Sequence, residues 1–328
     1  MSLPIKMSSS EMICIAAMLF YLCLPVCSSA QRFAIFSPDD RLILSTSTTE
    51  KDLTVWDVES GKLIRTLKGH TDDIYSAAFD SKGEYAISTS SDNTAKVWDV
   101  STGKLLKTIQ FKYKGERFPC QFAQFSPDGQ NVAISSNSGI VHIVEWREGK
   151  FIDTQEFGFD INTVFFSRDG NQLLITTAEN LVLYDVKNKN IIYNIATGYY
   201  NFYSNFIRDD SLIVSCHQSK TSICIRNART GLVENCLEGV EDAVRALPSL
   251  SETEFLVSYL SASQADLLSA NPETKTLKSF AVNPDDYNFV SSARFSHDGK
   301  LVVTSSNDFV IRLWDVDKSS VIKEIKVK

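Results

Sequence analysis

The sequence is poor in the residues that carry most enzymatic chemistry. Its 328 residues include only 4 histidines, and His70, His142, His217 and His297 are scattered along the chain. G-x-S-x-G, H-E-x-x-H, a P-loop and a paired C-x-x-C are all missing. No catalytic set, no cofactor site and no metal site are therefore expected. The Asp-rich turns lack the alternating ligands and distal Glu of a calcium loop. The pairs Asp72-Asp73 and Asp285-Asp286 have no acid/base partner in view and read as solvated loop charges. A basic excess is missing too: 33 Lys and Arg face 40 Asp and Glu, a formal net charge of -7. Proteins that live on nucleic acid usually show the opposite balance, so nucleic acid is excluded as an expected partner. With 43% hydrophobic and 22% charged residues, the chain is neither disordered throughout nor a polytopic membrane protein.

Methionine is confined to one end. All four (Met1, Met7, Met12, Met18) precede residue 31, together with Cys14, Cys23 and Cys27. After Lys6 an apolar run extends from Met12 to Val26, with Pro25 as a breaker and Ser28-Ser29-Ala30 behind it. That order predicts a secretory signal over residues 1–30 with Gln31 after the cut, and a secreted or periplasmic product. The run is shorter than the ~20 residues of a membrane span. Two alternatives stand beside this reading: an uncleaved anchor, with membrane contact through residues 12–30, and a cytoplasmic product with a mis-assigned start.

Residues 31–328 are periodic. Turn signals recur at Ser37-Pro38-Asp39-Asp40, Asp80-Ser81-Lys82-Gly83, Ser126-Pro127-Asp128-Gly129, Ser167-Arg168-Asp169-Gly170, Ile207-Arg208-Asp209-Asp210, Ser249-Leu250-Ser251-Glu252 and Ser296-His297-Asp298-Gly299. Asp bonds its own backbone and Gly accepts positive φ, which is why these residues make tight turns. Short apolar runs of strand length flank each turn. A second signal, Trp56-Asp57, Trp98-Asp99, Tyr184-Asp185 and Trp314-Asp315, ends a strand before another turn. By register Val144-Glu145, Arg226-Asn227 and Ser269-Ala270 hold the same place in the other units. The period of roughly 42 residues predicts an all-β chain of seven units, each four short antiparallel strands. The expected unit boundaries are 31–68, 69–111, 112–156, 157–197, 198–240, 241–282 and 283–328. One such sheet cannot bury both faces, but seven stacked radially can.

The second unit carries Gly69-His70, Ser90, Asp92 and Trp98-Asp99. With this pattern the chain resembles the WD-repeat family, seven-bladed β-propellers, over residues 31–328. The resemblance implies that His70, Ser90, Asp92 and Trp98 form a structural hydrogen-bonded set inside one blade. The seventh unit keeps Ser306, Asp308 and Trp314 but has Asp286 where the His would fall, and units three to six are degenerate. Blades without the set must lean on apolar packing, because buried polar chains stabilise only when satisfied. Ser320 to Val327 can supply the last strand, so the ring is expected to close by packing blade 1 against blade 7, without strand exchange, as a monomer.

Cys216, Cys224 and Cys236 fall in strands two, three and four of the fifth unit. Counting from the turns puts Cys224 nearly opposite both others, so a disulfide between two of them is geometrically open. The plainer alternative is three free thiols, since a slip of one residue breaks the pairing. His217 is expected on the other face, which removes it as a metal ligand.

The connecting loops of one face are aromatic. Tyr75, Tyr113, Arg117, Tyr199, Tyr200, Tyr203 and Tyr287 are candidates for gripping a protein or peptide, because Tyr and Arg bury much area and keep a polar tip. The alternative is that several of them begin inner strands and pack inside. The expected function is a non-enzymatic interaction scaffold or adaptor, exported through the N-terminal segment. One alternative is a propeller that binds a small ligand or carries an activity in its central channel. That would need convergent charged or metal-binding residues there, and the sequence alone shows none. Another is a cytosolic scaffold.

Overall fold

The short apolar runs between Asp-rich turns all become strands. The computed structural model describes residues 32–158, 160–218, 223–237, 239–251, 253–259, 262–269, 274–282 and 288–327. The expected signal segment, Tyr287 and Asp285-Asp286 lie outside them. Seven four-stranded antiparallel sheets follow one another, each made of four consecutive strands in chain order. Their first strands are Ala34–Phe36, Ile74–Phe79, Cys120–Phe125, Ile161–Phe166, Asn201–Ile207, Ala243–Pro248 and Val290–Phe295, opening blades 1 to 7. The fourth strands are Leu63–Leu67, Leu105–Gln110, Lys150–Glu156, Asn190–Ala196, Val233–Leu237, Lys275–Ala281 and Ser320–Lys326. An additional ribbon, Lys112–Tyr113 paired with Glu116–Arg117, rises between blades 2 and 3.

Local chemistry sets the turns. Ser37, Ser126, Ser167 and Ser296 each donate to an Asp two residues on, at 2.5–2.7 Å. The same hydroxyls accept the N–H of Leu42, Asn131, Gln172 and Leu301, each at 2.9 Å, where the next strand starts. At the same end of each blade Asp57, Asp99, Asp185 and Asp315 accept backbone N–H groups in the turn before the fourth strand. Gly103 in that turn has φ +74°, and a Cβ there would stand 3.2 Å from Arg65 Cδ of blade 1.

The core lies between the blades. Strand alternation gives each sheet two apolar faces. Leu44, Val55 and Leu67 of blade 1 pack on Ile74, Ala86 and Trp98 of blade 2, while Ile43 and Trp56 face Val303 and Leu313 of blade 7. A comparable cluster fills each of the other five interfaces. Blades 1 and 7 are joined by this packing and by side-chain bonds: Ala34 N–H to Ser292 Oγ at 3.2 Å, Arg32 Nη1 to Asn307 O at 2.9 Å, and Ser305 Oγ to Arg32 O at 3.0 Å. Within the described residues no strand is exchanged, as the sequence led us to expect.

First strands of most neighbouring blades touch, including those of blades 1 and 7, so they line the middle of the ring. Fourth strands form the rim and open on exposed apolar pairs such as Leu105-Leu106, Ile191-Ile192 and Val321-Ile322. One register expectation fails. In blade 6, Phe255 opposes Leu268 and Glu254 opposes Ser269, so Leu268-Ser269, not Ser269-Ala270, holds the place of Trp98-Asp99.

Candidate functional site

Loops from fourth to first strands and loops from second to third strands share one face. Their backbones bond each other: Ile74 N–H to Glu50 O at 2.8 Å, Ser91 N–H to Asp73 O at 2.9 Å, and Gln218 N–H to Tyr200 O at 2.8 Å. The most prominent feature of this face is the ribbon of blade 3. Its turn, Lys114-Gly115, has φ +50° and +89°, the paired positive values of a tight hairpin. Tyr113 donates its hydroxyl to Glu156 Oε2 at 2.9 Å, and Lys114 Nζ reaches the same oxygen at 3.0 Å. That carboxylate and ammonium hold each other charged, which lowers the pKa of Glu156 and raises that of Lys114. Arg117 is exposed on the outer strand of the ribbon. Beneath the ribbon an open groove of about 530 Å³ is lined by Lys107, Lys112, Tyr113, Lys114, His142 and Phe151, among others.

The other candidates are dispersed. Tyr199 is 52% exposed and stacks on His217 with centroids 5.2 Å apart and planes at 11°. Tyr200 is half-buried against Phe202 at 5.3 Å. Tyr75 is half-buried in its strand and donates to Ser91 Oγ at 3.3 Å. Tyr203 must be removed from the exposed set: it is 2% exposed, inside the first strand of blade 5, 5.6 Å from Phe165. A bulge between Asn201 and Tyr203 shifts the alternation there and turns the ring inward.

Inside blade 2 the hydrogen-bonded set forms with one correction. Trp98 Nε1 donates to Ser88 Oγ at 2.9 Å, Ser88 meets His70 Nε2 at 2.8 Å, and His70 Nδ1 meets Asp92 Oδ2 at 2.8 Å. The linking hydroxyl is Ser88, not Ser90. Ser90 instead accepts from Asp92 N–H and donates to Asp72 O, both at 3.0 Å. Both serines point to one face, since they are two residues apart, but only Ser88 lies level with the indole. Burial pulls the His70 pKa down against the pull of Asp92, so the ring is neutral, donating from Nδ1 and accepting at Nε2. Burial pushes Asp92 up, but bonds from His70 and Thr94 outweigh it and hold the carboxyl well below its usual range. Ser88→Ala strands two buried partners and is expected to lower stability by about 2–3 kcal/mol, and Ser90→Ala by about 1. Equal losses in urea titrations would refute the assignment.

The position of Ser88 recurs. Ser45, Ser215 and Thr304 occupy the same place in blades 1, 5 and 7, and accept from Trp56 Nε1, Arg226 Nε and Trp314 Nε1. A hydroxyl at the fourth place of the second strand was the signal that could have found it. In blade 7 the cation is Arg312, which bonds Ser306 Oγ at 2.8 Å and Asp308 Oδ2 at 2.6 Å.

In blade 5 the structure pairs Cys224 with Cys236 as a disulfide, and the two lie directly opposite. Cys216 opposes Ile223 rather than Cys224, and is buried and free. His217 is on the face of Cys224, its Nε2 3.3 Å from Cys224 Sγ, contrary to expectation. A one-residue slip in the counted register exchanged the faces of Cys216 and His217. Among the described residues no group of three His, Cys, Asp or Glu side chains is placed to hold a metal ion.

The WD40 family profile, "WD domain, G-beta repeat", matches residues 61–99 and 274–315. The chain is 26% identical over 147 residues to Autophagy-related protein 16 of Arabidopsis thaliana, covering 44% of this chain and 27% of that one. It is 36% identical over 72 residues to Nuclear distribution protein PAC1 of Arthroderma otae, covering 21% and 16%. THO complex subunit 3 of Arabidopsis thaliana is 26% identical over 139 residues, covering 41% and 42%. The chain thus spans less than half the length of each of these relatives. A chain of the "Crystal Structure of Mitotic Checkpoint Complex" superposes with a TM-score of 0.74 at 16% identity, over 87% of this chain and 86% of that one, a likeness of fold. Two profile matches falling on blades of a closed seven-bladed ring place the chain in the WD40-repeat family.

Proposed function

We propose that this protein is a non-enzymatic interaction scaffold that docks a protein or peptide segment on its loop face, at the ribbon between blades 2 and 3. The observation that carries this is the ribbon itself. It adds an anchored, projecting element with exposed Arg117 over a groove where Lys107, Lys112 and Lys114 outnumber Glu148, with Lys114 paired to Glu156. A rigid ring with one such projection presents a surface at little ordering cost, and the lysines favour an acidic segment. Tyr199 extends the same face across blade 5.

The compartment we favour is intracellular. The relatives are named for autophagy, nuclear distribution and the THO complex, and the solved structure for a mitotic checkpoint assembly. Export is the second reading, favoured by the apolar segment before residue 31 and by the Cys224–Cys236 disulfide. Non-reducing peptide maps of the native protein separate them. Intact Met1 with free Cys224 and Cys236 supports the first; an N-terminal Gln31 with the two cysteines linked supports the second.

For the docking face, the test is co-purification of the native partner with wild type and with the double variant Lys114→Glu, Arg117→Glu. Recovery is expected to fall roughly tenfold or more, with Arg41→Glu, on the opposite turns, unaffected. Undiminished recovery by the double variant would overturn the site.

A further inference from the structure

The seven first strands that line the ring contain no Asp or Glu, and their only charged residues are Arg245 and Arg294. The sequence showed no convergence between them, because they belong to different blades. Ala293 and Phe295 pack into the interface of blades 6 and 7, so alternation turns Arg294 away from it. The Arg245 guanidinium stands 5.1 Å from the centroid of the Tyr203 ring of blade 5. Arg294 of blade 7 in turn bears electrostatically on both Arg245 and Tyr203. Side chains from blades 5, 6 and 7 can converge only on the axis side, since each blade face meets a single neighbour.

These two cations are unlike the others. Arg226 bonds Ser215 Oγ and Gly231 O, and Arg312 bonds Asp308. Arg245 Nε and Arg294 Nη1 are sealed from solvent and have no acceptor. Among the described residues the groups that bear on their charge are Tyr203, Cys216 and each other, with no carboxylate among them. Burial, then the charge of Arg245, pushes the Arg294 pKa down to about 9. Both residues are half-buried, and a partly desolvated cation without a counter-charge is unfavourable, two that repel each other more so.

We propose that the central channel binds a small dianionic oxyanion of the phosphate class between Arg245 and Arg294. Two guanidinium forks match the charge and the oxygen spacing of a phosphate, bound through paired N–H donors. Tyr203 backs Arg245 with its ring face, a contact that strengthens where water is excluded. The site faces the channel and not the loop-face ribbon, so it stands or falls independently of partner docking.

The probe is inorganic phosphate, titrated into the intact protein by calorimetry and by thermal unfolding at constant ionic strength against chloride. Saturable one-site binding and a rise of several degrees in the midpoint are expected. Arg245→Gln and Arg294→Gln should each weaken binding roughly tenfold or more, and Arg41→Gln should not. Without phosphate both variants should be folded and at least as stable as wild type, because each removes a half-buried charge that repels its neighbour. The proposal is overturned if phosphate acts no differently from chloride, if both variants bind like wild type, or if Arg294→Gln is less stable without phosphate.

Discussion

Trp98→Ala is expected to remove about 4 kcal/mol of stability, the largest loss from any single substitution considered for this ring. Trp98 is 1% exposed and closes the interface between blades 1 and 2 against Leu44, Val55 and Leu67. Its far edge is where the chain enters blade 2: a Cβ on Gly69 would lie 3.1 Å from Trp98 Cη2. Truncation therefore opens a cavity under the entry loop and frees Ser88 from the indole. With a total stability of roughly 5–15 kcal/mol, that is about a quarter of it or more. Trp98→Phe keeps most of the volume and loses the hydrogen bond, so it should cost about 1–2 kcal/mol. Chemical denaturation gives both numbers. If Trp98→Ala loses no more than Trp98→Phe, the interface between these blades does not depend on the indole.

Acid is expected to weaken the fold well before carboxylates protonate. Burial pulls His142 down to about 4, and burial together with Arg226 does the same to His217. Both are 2% exposed. His70 is also lowered, by burial, with Lys96 adding to it and Asp92 opposing. Each of these rings is kept neutral by the fold. Below about pH 6.5 the unfolded chain takes up protons that the folded chain refuses, so stability rises with pH across this window. The contribution is full above about 6.5 and drains as pH falls toward 4. At pH 5 the loss is roughly 2 kcal/mol for each of His142 and His217, or about ten degrees in the thermal midpoint for the pair. Asp92 follows the opposite rule for an acid held low: its share is present above the usual carboxylate range and lost only in strong acid. His142 bonds Lys112 O and Thr154 Oγ1 as a neutral ring, at 3.1 and 2.8 Å. His142→Gln should therefore remove its own share of the pH slope, roughly 2 kcal/mol between pH 7.5 and 5. A midpoint that does not move between pH 7.5 and 5 would refute the argument.

How much of this was legible beforehand depends on the distance over which the information acts. Turns such as Ser37-Pro38-Asp39-Asp40, Ser126-Pro127-Asp128-Gly129 and Ser296-His297-Asp298-Gly299 are decided by bonds within five residues, and these appear where the pattern placed them. Choosing between Ser88 and Ser90 was not possible from period two, because residues two apart share a face and differ only in depth. Cys216 and His217 were assigned opposite faces correctly in kind but in the wrong sense, since a one-residue error inverts every side chain of a strand. Tyr203 was misplaced for a related reason: the bulge that recurs at the start of the first strand in blades 2 to 7 resets the alternation just past the loop.

Strand limits, turn chemistry and the number of sheets were set by the order of residues alone, because each depends on neighbours along the chain. Which hydroxyl meets which indole, which cysteines face each other and which charges converge at the axis were decided by the folded ring. Those contacts join different strands or blades, and their distances exist only once seven sheets have packed face to face and brought the first against the last.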